Sequence, residues 1–523
     1  MLNAFATAVK ETLDNQNQLT ENGAVGYKTT GSALVDFCFK VSSYRNLDVI
    51  EILNDFSKVY SENPLLAVKM MFMAGDIRGG MGERRLFNTC LQWLAVNHSD
   101  VAKAIIPLVA EYNRWDAVVN LYTSANGNLS GFVLEFLKKQ LDDDYANFQQ
   151  EKSISLLAKW MPSINTSSNE KCALARKLAK SFKMTDKQYR KRLSALRSYL
   201  NVVETKMSAN NWSSIDYNTV PSKANILYKE AFMKHDEERR QQFLADLEAG
   251  KEGVKINSGA SFPYDIIHKY TSYNGWHCQA VKYDATLEEM WKALPNYVGD
   301  NGSDTICMVD GSGSMSSKIG NTQVTAHDVA RSLGIYFAER MNGAFNNKYI
   351  SFGRDPHLVD FGKCKSLRDK INICADNDDC SNTNIEKAFM LILKTATSHN
   401  LKQDEIPKNI LVISDMEFDG ACEYQAYDGS SFVAYQKTLF DTISEKYEQA
   451  GYKMPRLVFW NVNSRTNTIP MKENENGVTL VSGFSPAIAS MVFSNKLDPY
   501  EVIIEKLNDK RYDAVETAFK SVK

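Results

Sequence analysis

Ile306-Cys307-Met308-Val309-Asp310-Gly311-Ser312-Gly313-Ser314 is an apolar run that ends in an Asp-x-Ser-x-Ser turn. The apolar residues read as a buried strand. One carboxylate and two hydroxyls within five residues converge on a point only if the chain turns sharply, and Gly311 and Gly313 permit such a turn. An all-oxygen donor set suits Mg²⁺, which holds near-octahedral geometry and keeps several waters. Further ligands must then come from other loops. Ser381-Asn382-Thr383-Asn384 precedes a helical run from Ile385 to Ala396, and Ile410-Leu411-Val412-Ile413-Ser414-Asp415 is a second apolar strand ending in a carboxylate. Asp310, Ser312, Ser314, Thr383 and Asp415 are therefore the candidate metal ligands. The same residue types also cap helices, so the turn has a second use open to it, as the cap of a helix starting near Asn321.

Outward from this stretch, strands and helices alternate: Thr305 to Asp310, Val324 to Met341, Lys348 to Phe352, Leu367 to Ala375, Ile385 to Ala396, Asn409 to Ser414, Phe432 to Ala450, Arg456 to Trp460 and Val478 to Val481. That spacing predicts βαβ units around a parallel sheet, with helices on both faces. Ligands of such sheets bind at the carboxyl ends of the strands, where Asp310 and Asp415 both fall. Before Pro295 the pattern is different. From about Thr29 to Tyr270 apolar residues recur three and four apart, as in Leu47, Ile50, Leu53 and Phe56, which predicts many short helices. Helix pairs of that size bury their apolar faces only against neighbours, which predicts a degenerate solenoid or ring without a strict repeat.

Composition narrows the function classes. The longest apolar runs fall far short of the roughly 18 residues of a membrane helix, and the first residues lack the basic start and apolar run of a signal peptide, reading instead as an exposed amphipathic arm. Nine cysteines lie singly with no Cys-x-x-Cys pair, which predicts reduced thiols in a cytoplasmic protein and no zinc site. The net charge of −2 argues against a uniformly basic nucleic-acid binder. It conceals one strong patch: between Lys171 and Arg197 ten cations stand against the single acid Asp186. Arg176, Lys180, Lys183 and Lys187 fall three or four apart there, a cationic stripe able to neutralise phosphates, although such residues opposite an apolar face are also an ordinary solvated surface. A glycine-rich segment, Gly75-Asp76-Ile77-Arg78-Gly79-Gly80-Met81-Gly82-Glu83-Arg84-Arg85, has no Gly-Lys-Ser/Thr after it and no strand before it, so it is no nucleotide P-loop. It reads either as a turn whose arginines pair with nearby acids or as a phosphate contact.

The three separated pieces around Asp310, Thr383 and Asp415 resemble the von Willebrand A fold and its metal-ion-dependent adhesion site. The resemblance implies that Ser312, Ser314 and Thr383 are hydroxyl ligands, that Asp310 and Asp415 bind the ion directly or through water, and that a partner's acidic group takes a sixth position. Asn22-Gly23-Ala24 with Thr29-Thr30-Gly31, Asp76 to Arg84, Arg197 with Val202-Val203-Glu204, Ile215-Asp216-Tyr217 with Val220-Pro221-Ser222, Phe232 with His235-Asp236, and Lys255-Ile256-Asn257 together resemble the RNA-binding TROVE module of the Ro ribonucleoproteins. A closer resemblance is to an uncharacterised Ro-like family of unknown function that joins such a region to an A domain. This second resemblance implies an α plus α/β chain: an arm over 1–28, a HEAT-like helical-repeat ring or solenoid over 29–295, and a doubly wound, Rossmann-like A domain over 296–523.

The expected function is a non-enzymatic, cytoplasmic RNA-binding scaffold for structured or misfolded small non-coding RNA. Mg²⁺ or another divalent cation is the expected cofactor, with an acidic protein partner at the metal and no membrane. The RNA contacts expected are Arg78, Arg84, Arg85, Arg176, Lys177, Lys180, Lys183, Lys187, Arg190, Lys191 and Arg192. Two alternatives stay open: a metal-dependent protein adaptor without RNA, and, last, a Mg²⁺-dependent hydrolase, for which neither a second carboxylate cluster nor a general base stands out.

Overall fold

Asn17–Leu19 (β1) and Val25–Tyr27 (β2) form an antiparallel hairpin, with Leu19 opposite Val25. The computed structural model describes residues 17–124, 127–274, 277–300, 302, 304–378, 380–420, 439–472 and 476–522. Residues 17–28, expected within an exposed arm, are held by backbone bonds: Tyr27 and Ile469 exchange N–H···O bonds of 2.9 Å in both directions, and the Thr20 hydroxyl donates to the Phe418 carbonyl at 2.6 Å. Gly26 is required there, since a Cβ would lie 2.6 Å from the Ile469 carbonyl oxygen. The remainder of the expected arm lies outside the described residues.

The chain is mostly helical, with one six-stranded mixed sheet in its C-terminal part. A second hairpin pairs Thr271–Asn274 (β3) with His277–Ala280 (β4). The sheet is built from Thr305–Asp310 (β5), Lys348–Phe352 (β6), His357–Asp360 (β7), Asn409–Ser414 (β8), Arg456–Asn461 (β9) and Val478–Ser482 (β10), in the order β10-β9-β8-β5-β6-β7. Five of these strands were legible in the pattern. β7 was not, and it makes the sheet mixed rather than parallel, because it pairs antiparallel with β6 at the edge. Its burial explains the miss: only Val359 is covered, so the run carries no buried apolar signature. β5, β9 and β10 are buried at every residue, as two-sided coverage demands.

The helix Ala326–Arg340 follows the Asp310 turn. Thr325 caps it, accepting from the Asp328 N–H at 3.1 Å while the Asp328 carboxylate accepts from the Thr325 N–H at 3.0 Å. The Asp-x-Ser-x-Ser turn is therefore not a helix cap, and its polar atoms are committed elsewhere. Gly334 lets this helix lie close on β5: a Cβ there would meet a Val309 methyl at 2.7 Å, the kind of overpacking that costs about 1–3 kcal/mol. The helix expected over Phe432 to Ala450 is described as Leu439–Gln449, and residues 432–438 lie outside the described residues.

The described residues fall into two compact units. One takes residues up to 70 together with 261–509, and the other takes 71–260 with 510–523. This division differs from the expected 29–295 and 296–523. The helix Ala33–Phe39 packs on β10, and the helix Pro263–Tyr270 packs on Ala326–Arg340, so both belong with the sheet. The second unit is helical, with neighbours such as Ser222–His235 and Glu237–Glu248 packed as pairs. It includes the C-terminal helix Asp513–Lys520, which packs on Ser99–Ile105. Tyr512 stacks on Tyr112 at 5.9 Å just before it. No disulfide joins Cys38, Cys90, Cys172, Cys307, Cys364, Cys374 or Cys380, and among the described residues no helix is long and apolar enough to cross a membrane.

Candidate functional site

β5 and β8 are adjacent and parallel, so their carboxyl ends deliver Asp310 and Asp415 side by side. Both carboxylates are buried, at 1% and 0% exposure. Asp310 Oδ1 accepts from the Ser312 N–H at 2.9 Å and Oδ2 accepts from the Ser414 hydroxyl at 2.5 Å. The Ser312 and Ser314 hydroxyls lie 3.1 Å apart, and Ser314 also bonds the Asp415 carboxylate. Burial pushes the Asp310 carboxyl above the ordinary range, and the neighbouring Asp415 charge raises it further. Burial likewise raises Asp415, opposed by Arg465, whose Nη1 donates to Asp415 Oδ2 at 3.1 Å.

The loop that carries buried Thr383 is bonded to the Asp310 turn. The Gly313 N–H donates to the Ser381 carbonyl at 3.0 Å and the Cys380 N–H to the Gly311 carbonyl at 3.0 Å, which clamps the two loops together. The glycines serve a purpose other than the expected one. Neither Gly311 nor Gly313 has a positive φ. They are needed for room, since a Cβ on Gly313 would lie 2.9 Å from the Cys380 carbonyl oxygen, and one on Gly311 3.1 Å from both Asp378 Oδ1 and Ser351 Oγ. The left-handed residues here are Cys380 at φ 49° and Met416 at φ 64°, one in each flanking loop. Such backbone conformations in non-glycine residues concentrate where a site over-determines the chain.

Several participants were missed in the sequence. Glu417 is fully buried and accepts from the N–H groups of Glu21, Arg465 and Thr466 and from the Ser464 and Thr466 hydroxyls, at 2.7–3.1 Å. It thereby fixes the loop that presents Arg465. The Asn22 amide donates to the Glu417 carbonyl at 2.6 Å and to the Thr383 hydroxyl at 3.3 Å. His327, on the helix behind the turn, bonds the Gly311 backbone, and burial depresses its imidazole to about 4. Its Nε2 is buried without a hydrogen-bond partner. Arg331 pairs with Asp378 at 2.5 Å and His268 with Asp328 at 2.9 Å in the same layer. The rule that ligands gather beyond strand ends points at Ser464 and Arg465 after β9 as well as at Asp310 and Asp415.

The cationic residues of the helical unit divide into two groups. Arg192 pairs with Asp142 and lies over the Tyr145 ring, Arg197 donates to the carbonyls of Ala158 and Met161, and Lys177 lies over Tyr122. Arg176 faces Asp186 at 3.6 Å. Lys180, Lys183, Lys187, Arg190 and Lys191 are exposed. The single stripe expected from Arg176 to Lys187 is interrupted, because the helix Asn169–Ser181 ends before Lys183, which takes φ 58°, and Thr185 caps a new helix, Asp186–Tyr199, in a reciprocal box with Gln188. In the glycine-rich segment buried Asp76 accepts from the Arg511 guanidinium and from the Arg78 N–H, while the Arg78 side chain donates to the Glu111 carbonyl at 3.1 Å. A Cβ on Gly80 would lie 2.0 Å from the Met73 carbonyl oxygen. Arg84 and Arg85 are exposed, and partial desolvation of the guanidinium and the nearby Arg114 lower Arg84.

These features define a class, a protein that couples a helical unit to a mixed α/β sheet carrying a buried, oxygen-rich site at its strand ends. The chain belongs to the family of the domain of unknown function DUF2828, whose model matches residues 20–114 and 128–303, more than half of its length; a second domain of unknown function, DUF7788, matches residues 304–521. It is also similar to "Uncharacterized protein L728" of Acanthamoeba polyphaga mimivirus, at 26% identity over 527 residues covering 93% of this chain and 86% of that protein. The resemblance to Ro, TROVE and von Willebrand A proteins is thereby corrected, since no model of those families matches. Motifs that carried it have local duties here: Asp76 to Arg84 anchors Arg511, and Asn22 to Ala24 forms the turn laid against Phe418 and Glu417.

Proposed function

We propose that this chain is a non-catalytic binding protein whose strand-end site holds a divalent cation, Mg²⁺ by preference, and through it docks an acidic group of a partner. The observation that carries the reading is the charge balance. Two fully buried carboxylates stand together, and apart from the single guanidinium of Arg465 their donors are neutral hydroxyls and amides. Buried charge of one sign is costly unless paired, and hard oxygen donors of this kind suit Mg²⁺. Asp310, Ser312, Ser314, Thr383 and Asp415 would hold the ion, which supplies an open position for an anionic oxygen. Among the described residues no three His, Cys, Asp or Glu side chains form a metal cluster, so hydroxyls and water must complete the shell. The Ser312 and Ser314 hydroxyls bond each other, Ser312 also bonds the Asp310 carboxylate and Ser314 that of Asp415, so the donors are already gathered around one point. Calorimetric titration of the EDTA-treated chain with MgCl₂ tests the reading. One site is expected, weakened more than tenfold by Asp310→Ala; heat of binding unchanged in that variant contradicts it.

A second surface favours RNA. Among the described residues Lys180, Lys183, Lys187, Arg190 and Lys191 have no acidic partner, and they lie on or beside the turn between the helices Asn169–Ser181 and Asp186–Tyr199. Clustered, unneutralised cations of that kind bind phosphodiester backbone by counterion release. The proposed ligand is a small structured non-coding RNA, and the proposed setting is the cytoplasm, in keeping with the scattered cysteines of the sequence.

A further inference from the structure

We infer that Arg465 is the carboxylate receptor of the strand-end site and that Glu21, on the tip of the β1–β2 hairpin, is its internal ligand, so that an acidic side chain presented on a partner's turn binds by exchanging with Glu21. This deepens the docking reading by naming what is docked and what must leave. Arg465 Nε and Nη2 both bond Glu21 Oε2, while Nη1 reaches Asp415 Oδ2 at 3.1 Å. One guanidinium thus joins a surface carboxylate to a buried site carboxylate. The next residue, Asn22, spans the Thr383 hydroxyl and the Glu417 carbonyl, so the tip of the hairpin lies across two of the loops that form the site.

The two halves of the hairpin are held very differently. Its backbone is anchored by the Tyr27–Ile469 bond pair, by Thr20 to Phe418, and by the Glu21 N–H on Glu417 at 2.8 Å. The Glu21 side chain is 57% exposed and is held by Arg465. An exposed ion pair contributes little in water, whereas the planar guanidinium fork remains a specific receptor for any carboxylate delivered at the same angle. A carboxylate on a turn is therefore the ligand that this geometry already accommodates, and the pair can exchange without unfolding the hairpin.

The test uses the full chain and the tripeptide Ac-Gly-Glu-Gly-amide, with Ac-Gly-Gln-Gly-amide as the uncharged control, in EDTA and again in MgCl₂. Glu21→Gln is expected to tighten binding of the acidic probe in EDTA about fivefold, the size of one exposed pair no longer to be displaced. Arg465→Gln is expected to remove that binding, Arg465→Lys to retain part of it, and the control probe to remain unbound. In the wild-type chain the probe should leave the Glu21 and Tyr27 amides equally protected from deuterium exchange, because only the Glu21 side chain is displaced. Equal affinity of wild type and Glu21→Gln, or full binding by Arg465→Gln with native unfolding behaviour, would overturn the inference. The cation reading is separable: if MgCl₂ binds at Asp310 yet Glu21→Gln changes nothing, the exchange fails alone, and if the exchange holds in EDTA while Asp310→Ala leaves MgCl₂ binding intact, the cation reading fails alone.

Discussion

MgCl₂ at a hundredfold excess over its dissociation constant is expected to raise the Tm of the EDTA-treated chain by roughly 4–8 °C, and Asp310→Asn to abolish that rise. The sign comes from the two carboxylates. Asp310 and Asp415 are both raised by burial, Asp310 also by its neighbour's charge. Well below pH 4, where the unfolded carboxyls are protonated, the raised values confer no penalty. As the pH climbs from there through the raised folded values, the unfolded chain sheds its protons first, and stability is lost. In EDTA the wild-type chain should therefore fall further below Asp310→Asn at pH 8 than at pH 5; the comparison cancels buried His327, which is depressed to about 4 and gains stability over the same rise in pH. A cation reverses the order, because it stabilises the ionised pair. Scanning calorimetry at both pH values, with and without MgCl₂, reads all of this in one series. A wild-type Tm indifferent to MgCl₂ would remove the cation from the account.

Reversing Lys180, Lys187 and Lys191 together to Glu is expected to weaken binding of a short RNA hairpin by more than about a hundredfold at 50 mM salt, and to flatten the salt dependence by about three phosphate contacts. These three positions are exposed, and each lies outside the buried face formed by Leu178, Tyr189 and Leu193, so the fold should survive. Arg192 and Arg197 are the wrong residues for this test. Arg192 neutralises Asp142 and Arg197 satisfies buried carbonyls, so their loss would disturb the packing of the helical unit itself. Filter binding across a salt series distinguishes the cases: an unchanged slope in the triple variant, or no RNA affinity in the wild type, would leave the patch as an ordinary solvated surface.

Much of the sheet was legible because buried strands announce themselves. Ile306 to Val309 and Ile410 to Ile413 are unbroken apolar runs ended by carboxylates, and parallel neighbours align those ends without further instruction. The site was legible only as far as this rule extends. Thr383 was expected because it precedes a helix, whereas the bonding of Glu417 to Arg465 and its neighbours required knowing that β9 lies beside β8, a matter of strand order that periodicity does not carry. The hairpin at residues 17–27 was hidden for another reason. Its strands are three residues long, and its stability comes from bonds to Phe418, Glu417 and Ile469, some four hundred residues away in sequence. Local pattern also misjudged Gly311 and Gly313, which are set by the close approach of neighbouring chain segments rather than by left-handed backbone. The family likeness went astray where shared residue types, such as the Asp76 turn, proved to serve packing.

The most direct measurement is a crystal of the full chain grown with MnCl₂ and probed by anomalous diffraction at the manganese edge. The account predicts one peak enclosed by Asp310, Ser312, Ser314, Thr383 and Asp415, lost in Asp310→Ala. A well-ordered strand-end site with no peak in it, with the Arg465 guanidinium as the sole positive charge on Asp415, would contradict it.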